Sequence, residues 1–437
     1  LLLFLQKKKF FLNFLDGFGQ GGGLEHGLIW GISALSIGGV LARPFGWPEA
    51  VWAVAGGAAL VALGLLPLGA ALRGVGEGGD VYLFLTGMML LSELARREGL
   101  FDWLAAHVAR RARGSAPVLF GLVYAMGTLV TVFLSNDATA VVLTPAVAAV
   151  VRAAGATEPL PFLLVCAFVA NAASFVLPIS NPANLVIYGA HMPALLAWLR
   201  LYAAASAGAI IVTFLTLWLS QRDALRQQLN QAEVPDLSRS GALAAAGIGG
   251  TALVLLAASA FGLRLGLLTF LAGVATAAMV LAPKREAPFG VLRDISWSVL
   301  PLVAGLFVLV AGLDRSGLTD ALSAALHQAA LAAPRATVWA AGLLLGFGCN
   351  LVNNLPAGLM AGHAVQAAKV GARIQAGVLV GVDLGPNLSV TGSLATILWL
   401  AALRREGLHV TAWTFLRLGC VVMPAALVCA LAAIFAG

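Results

Sequence analysis

Apolar residues run along this chain in long, nearly unbroken stretches instead of alternating or recurring on one face. Such stretches occupy positions 27–42, 49–72, 81–95, 116–134, 137–153, 160–190, 198–220, 241–261, 264–282, 296–313, 334–352, 355–368, 374–403 and 411–436. A helix that crosses a bilayer needs about 20 mostly apolar residues. Two stretches, 160–190 and 374–403, exceed one span and are interrupted by Pro, Asn and Gly. Shorter amphipathic segments between 95 and 115 and between 314 and 333 read as helices lying in the interface. The pattern predicts an all-α polytopic membrane protein with about 10 spans and two re-entrant hairpins.

Composition agrees. Of 437 residues, 60% are hydrophobic and 10% charged, with a mean hydropathy of +0.95. Soluble domains carry about 25% charged residues, so a soluble enzyme, a nucleic-acid binder and a disordered scaffold are all excluded. The net charge of +7 is then loop charge and calls for no nucleic-acid partner. Placing the polar loop 221–240 in the cytoplasm puts Arg96, Arg97, Arg110, Arg111, Arg113, Lys284, Arg285, Arg404 and Arg405 on the same side, as the positive-inside rule requires. Cys166, Cys349, Cys420 and Cys429 all lie in apolar runs without a CxxC pair, which indicates neither a disulfide framework nor a thiolate metal site. Residues 1–26 stand outside the pattern, with Lys7, Lys8 and Lys9 following an apolar stretch too short to span. They are set aside as an N-terminal extension, either interfacial or left from expression.

The two halves echo each other. A first repeat, 27–220, holds a hairpin at 116–153 and a broken helix at 160–190. A second, 241–437, holds a hairpin at 334–368 and a broken helix at 374–403, with 221–240 as the cytoplasmic linker. The hairpin tips read FLSNDATAVVLTPAV (133–147) and NLVNNLPAGLMAGHAV (350–365); the breaks read LPISNPANLVIYG (177–189) and GVDLGPNLSVTGS (381–393). An odd number of net crossings per half makes the repeats inverted, and inverted repeats with broken helices mark a transporter site near the midplane. Pro178, Pro182, Pro356 and Pro386 remove backbone donors, and the freed carbonyls survive only inside protein or against a wet cavity.

Of nineteen carboxylates, only Asp137, at the first tip, and Asp383, in the second break, are expected deep in the membrane. A charge there costs ~2.5–3.5 kcal/mol on translocon scales and marks function by default. Burial favours the neutral acid, which suits a group that loads and releases a proton. Capping of a half-helix is the rival reading for both. Around them cluster Ser135, Asn136, Thr139, Asn171, Ser174, Ser180, Asn181, Asn184, Asn353, Asn354, Asn387, Ser389, Thr391 and Ser393. Hydroxyls and amides both donate and accept. With no Lys or Arg expected at that depth, the site suits a small neutral hydroxylated solute or a cation better than a di- or tricarboxylate. Cys349, one turn before the second tip, is a soft-ion ligand only on the weaker reading.

The segments SNDATAVVLTPAV (135–147), ISNPANLVI (179–187), NNLPAGLMAG (353–362) and above all GVDLGPNLSVTGSLATILWLAALRREG (381–407) resemble the ArsB-type arsenite/antimonite efflux pumps of the ion transporter superfamily. The resemblance covers nearly the whole chain from about residue 27. It implies a secondary transporter of the bacterial inner membrane, not an enzyme and without a cofactor. Such a pump exports the neutral trihydroxides of arsenite and antimonite in exchange for protons by an elevator movement, in some cases with a soluble ArsA-type ATPase. It further implies that Ser135, Asn136, Asn181, Asn184, Asn353, Asn354, Asn387 and Thr391 bind substrate and that Asp137 and Asp383 couple protons. A sodium/proton antiporter of the same superfamily remains the alternative, since Asp with Asn, Ser and carbonyl oxygens also makes a hard-cation site. A channel is a further alternative, and it predicts flux without proton coupling.

Overall fold

The computed structural model describes residues 23–230, 234–408 and 410–435. Helices α1 (Gly23–Ala42), α2 (Glu49–Ala62) and α3 (Leu68–Glu77) come first, followed by α4 (Gly79–Arg97) and α5 (Leu100–Ala112). A hairpin then joins α6 (Ala116–Phe133) to the single turn α7 (Asn136–Ala138), a π-helical turn over Thr139–Leu143 and α8 (Thr144–Ala153). The first broken helix is α9 (Leu160–Ala172) and α10 (Pro182–Tyr188), and α11 (Leu195–Gln221) closes the half. After the linker come α12 (Arg239–Ala260), α13 (Leu265–Leu281), α14 (Phe289–Asp294), α15 (Val299–Arg315) and α16 (Leu318–Ala332). A second hairpin, α17 (Pro334–Val352) and α18 (Asn354–Ala368), precedes the second broken helix, α19 (Ala372–Leu384) and α20 (Leu394–Arg405), and α21 (Ala412–Ala433) ends the chain. Among the described residues the one strand-like pairing is an isolated bridge between Ser115 and Gln228.

Seven described helices are long and apolar enough to cross a membrane, or eight if α15 and α16, bent by 74°, count as one span. The stretch 49–72, expected as one run, is two helices because Gly64 takes a left-handed φ of 72° after α2 and Pro67 opens α3. α1 begins at Gly23, inside the segment set aside as an extension, while residues 1–22 and the reading given to them lie outside the described residues.

The chain divides into two compact units. The smaller comprises residues up to 78, 297–332 and 363–370, which are α1 to α3, α15, α16 and the end of α18. Its helices meet through small residues. A Cβ at Gly305 on α15 would lie 2.6 Å from the Ala53 carbonyl carbon on α2. Helices in lipid associate by such close packing because burial gains them little. His363 belongs to this unit, 3.2 Å from the Asp314 carboxylate and 4.0 Å from Glu77.

The larger unit holds every other helix, the first part of α18 included. Its α17 and α19 share a glycine seam. A Cβ at Gly377 would lie 2.7 Å from the Val338 carbonyl oxygen, and one at Gly342 would lie 3.0 Å from that of Gly377. Further along, Gly381 sits on the Gly342 carbonyl and Gly385 on that of Gly346. Small residues at four-residue spacing on both partners put two helix backbones in contact, and the seam leads to the second tip and the second break. At one end of the unit, ion pairs join the end of α4 to the segment after α13, with Glu98 on Lys284 at 2.7 Å and Arg97 on Glu286 at 3.1 Å.

Candidate functional site

Where a helix breaks, the freed carbonyls need donors, and the first break finds them mainly in side chains, with the Ser180 N–H also donating to the Leu177 carbonyl at 3.1 Å. Asn184, on α10, turns its Nδ2 to the carbonyls of Ser174 (2.9 Å), Leu177 (3.3 Å) and Pro178 (3.3 Å). The Trp198 indole donates to those of Phe175 and Val176, each at 3.2 Å. Asn181 caps α10, its Oδ1 accepting from the Ala183 N–H at 3.0 Å. Ser180 reaches the first hairpin, donating to the Val132 carbonyl at 3.1 Å.

The second break is held by the second hairpin. Asn350, one turn before the tip on α17, donates to the Gly385 carbonyl at 3.0 Å and accepts from the Ser389 hydroxyl at 2.8 Å. Its own carbonyl accepts from Thr391 at 3.0 Å. At the tip, Asn353 has a positive φ of 73°, which turns the chain sharply from α17 into α18. Its Nδ2 donates to the Thr391 carbonyl at 3.4 Å, and the Asn354 N–H donates to that of Gly392 at 2.8 Å.

Side chains also join one break to the other. Asp383, with no exposed surface, accepts from Ser174 on Oδ2 at 2.8 Å and from Asn181 on Oδ1 at 2.9 Å. Asn171 donates to Asn387 Oδ1 at 3.0 Å, and Asn387 in turn donates to the Phe168 carbonyl at 3.0 Å. The first tip packs against α20, the helix that starts two residues after Gly392. Tips and breaks therefore converge within the larger unit.

The groups differ in how much of their bonding capacity is spent. Asn181, Asn387 and Thr391 are each engaged twice, Asn181 with Asp383 and the Ala183 N–H, Asn387 with Asn171 and the Phe168 carbonyl, and Thr391 with Ser389 and the Asn350 carbonyl. Ser135 caps the turn after the first tip by accepting from Ala138 N–H at 3.2 Å. Asn136 accepts only from the Asp137 N–H at 2.9 Å, through Oδ1. Neither the half-buried Asp137 carboxylate nor the Asn354 amide side chain has a hydrogen-bond partner among the described residues. Two amide oxygens, Asn171 Oδ1 and Asn184 Oδ1, are buried without a donor. The Cys349 thiol is buried against the backbone of its own helix, 3.6 Å from the Gly346 carbonyl oxygen.

Sequence reasoning passed over Asn350, Thr131 and Thr396. Asn350 stands inside the tip motif, and its signal was an amide on the glycine-rich helix one turn before the turn itself. Thr131 bonds Thr139 across the first hairpin at 2.8 Å, and Thr396 bonds Ser393 at 2.8 Å.

The model of the citrate transporter family, CitMHS, matches residues 37–386. This chain belongs to the CitMHS family. Within reach of it, the arsenical pump membrane protein of Escherichia coli K12 is 28% identical over 363 residues, covering 79% of this chain and 84% of that protein. An uncharacterized transporter of Mycobacterium tuberculosis is 24% identical over 390 residues, covering 80% and 84%. The YdaH transporter of Alcanivorax borkumensis, whose crystal structure shows an unusual topology, matches with a TM-score of 0.54 and 19% identity over 83% of this chain and 86% of that one. That likeness is one of fold. This CitMHS-family chain is thus a multi-pass helical membrane transporter.

Proposed function

We propose that this transporter exports arsenite and antimonite, as neutral trihydroxides, in exchange for protons. One observation carries the reading: the polar capacity left over at the site consists mainly of acceptors. Asn171 Oδ1 and Asn184 Oδ1 lack donors, and the Asp137 carboxylate has no partner among the described residues. A trihydroxide brings three O–H donors to such a site, whereas a citrate brings carboxylates and would set acceptor against acceptor. No Lys, Arg or His bonds any of these groups among the described residues, so a polyanion would also lack its counter-charge. The arsenical pump of Escherichia coli lends the same substrate class.

Sodium is the weaker guest. Three carbonyls freed by the first break already converge on the Asn184 amide, so a donor occupies the point where a cation would have to sit. On this reading Asn136, Asp137 and Asn354, with the free amide oxygens of Asn171 and Asn184, touch the substrate, while Ser135, Asn181, Asn353, Asn387 and Thr391 hold the tips and breaks in shape. Asp137 and Asp383 are the carboxylates available to the proton, and an elevator movement of a transport part against a scaffold part supplies alternating access.

Uptake by energised everted vesicles tests this. Arsenite should accumulate, citrate should not, and sodium should leave the rate unchanged. Asp137→Asn should insert normally and lose accumulation. Citrate accumulation without arsenite accumulation, or proton release driven by sodium alone, would overturn the assignment.

A further inference from the structure

The two buried contacts of one hydroxyl fix a proton that no map would show. Ser174 Oγ lies 2.8 Å from Asp383 Oδ2 and 2.8 Å from the carbonyl oxygen of Asn171. Both neighbours are acceptors when Asp383 is ionised, and a hydroxyl carries one proton. One of the two short oxygen–oxygen contacts would then hold no hydrogen at all. From this count we infer that Asp383 is the group that carries the coupling proton, held on Oδ2 in this conformation and donated to Ser174. The inference rests on the proton-coupled reading above and chooses between its two carboxylates.

With the proton on Oδ2, every contact has its donor. The acid O–H goes to Ser174 Oγ, the Ser174 O–H goes to the Asn171 carbonyl, and the Asn181 amide donates to Oδ1 at 2.9 Å. An ionised Asp383 would be a fully buried charge met by two neutral donors and no cation, the arrangement that costs most in a low dielectric. The surroundings offer nothing to offset it. α17 contributes the Cys349 thiol and α11 the Tyr202 phenol, which bonds Tyr188 of α10 at 2.7 Å. On α9, the Cys166 thiol turns to its own backbone. α21 carries Arg417, Cys420 and Cys429, none of which bonds Asp383.

Release of the proton has a structural consequence. In a conformation that opens the site to water, the O–H bond at Oδ2 breaks, that water takes the proton, and the Ser174 proton swings from the Asn171 carbonyl to the new carboxylate. The Asn171 carbonyl loses that donor, and the Asn171 side chain is the one that bonds Asn387 in the second break. Ser174 is thus a positioning residue that reports the charge of Asp383 to the link between the breaks. Asp137, half-buried and unbonded, is left to meet the guest.

Infrared spectroscopy of the purified full chain at neutral pH, without substrate, tests the assignment directly. Wild type should show the carbonyl stretch of a buried carboxylic acid, which Asp383→Asn removes and Asp137→Asn keeps. Ser174→Ala, which deletes the acceptor, should move the band to higher frequency, and Ser174→Thr should restore it. The pH profile of arsenite uptake should shift in Ser174→Ala and return in Ser174→Thr. A band lost with Asp137→Asn instead, or one indifferent to Asp383→Asn and Ser174→Ala alike, would overturn the inference. Failure of wild type to move arsenite would overturn the substrate reading and leave the band assignment standing.

Discussion

Asn171 and Asn387 stand 216 positions apart in the chain, yet the amide of the first donates to the amide oxygen of the second at 3.0 Å with both side chains buried. The pair joins the first break to the second. Because Asn387 also donates to the Phe168 carbonyl, it anchors the second break on α9, the helix that carries Asn171.

Removing one member should therefore cost more than its own bond. Asn171→Ala leaves Asn387 Oδ1 buried without a donor, a loss of about 1–3 kcal/mol. Asn387→Ala leaves the Asn171 amide without this acceptor and also removes the bond to the Phe168 carbonyl that ties the second break to α9. The double variant should lose less than the sum of the singles, as residues in contact do. Thermal unfolding in detergent measures the cycle, and strict additivity would show that the two amides do not support each other.

The glycine seam gives a second prediction. A Cβ at Gly381 would run into the Gly342 backbone carbonyl, which no rotamer change relieves. Gly381→Ala should push α17 from α19, cost about 1–3 kcal/mol and abolish uptake. Gly348→Ala on the same α17 has nothing within 4 Å of the added methyl. It should be neutral or stabilising by up to about 1 kcal/mol, since Ala favours the helix. Equal effects from the two variants would remove the seam from the argument.

Those two features differ in how well they could be read beforehand. The helical membrane character was plain because the bilayer imposes its signal on every span. Tips and breaks were expected where Pro and Asn interrupt long apolar runs. What the spacing could not reveal was which polar groups are spent. Asn184 and Asn387 look alike as residues in matching motifs, but one keeps an amide oxygen free and the other has both amide atoms bonded. That difference depends on where carbonyls from a distant break come to lie. Asn350 went unnoticed for the same reason, since its partners Gly385 and Ser389 reach it only through the packing of α17 on α19.

Cysteine chemistry separates oxygen from thiolate capture of a metalloid. Cys166 and Cys349 are buried and Cys420 is exposed. A maleimide that partitions into lipid should label Cys420, whose exposed face lies on the membrane-spanning α21, and spare the other two in folded protein, as read by mass spectrometry of peptides. Cys349→Ser keeps the size of the side chain and its contact with the Gly346 carbonyl, so arsenite uptake should stay within about two-fold of wild type, a barrier change under 0.5 kcal/mol. Loss of uptake with normal expression would bring the thiol into the site.

Glu98 and Lys284 provide a pH test away from the site. Burial pushes the Glu98 carboxyl up, and hydrogen bonds from Lys284 and Ser240 outweigh it, holding the group below its ordinary value. A carboxyl depressed in the folded state binds fewer protons there than in the unfolded chain. Its contribution is complete above the ordinary glutamate value and disappears as the pH falls through the lower folded one. Lys284 is 39% exposed, so solvent screens the pair and its worth is about 0.2–1 kcal/mol. Lys284→Ala should lower the unfolding temperature slightly at neutral pH, less so in high salt, and its curve should meet that of wild type in acid. A gap that persists once Glu98 is protonated would mean that Lys284 stabilises this end of the unit by packing and not by charge.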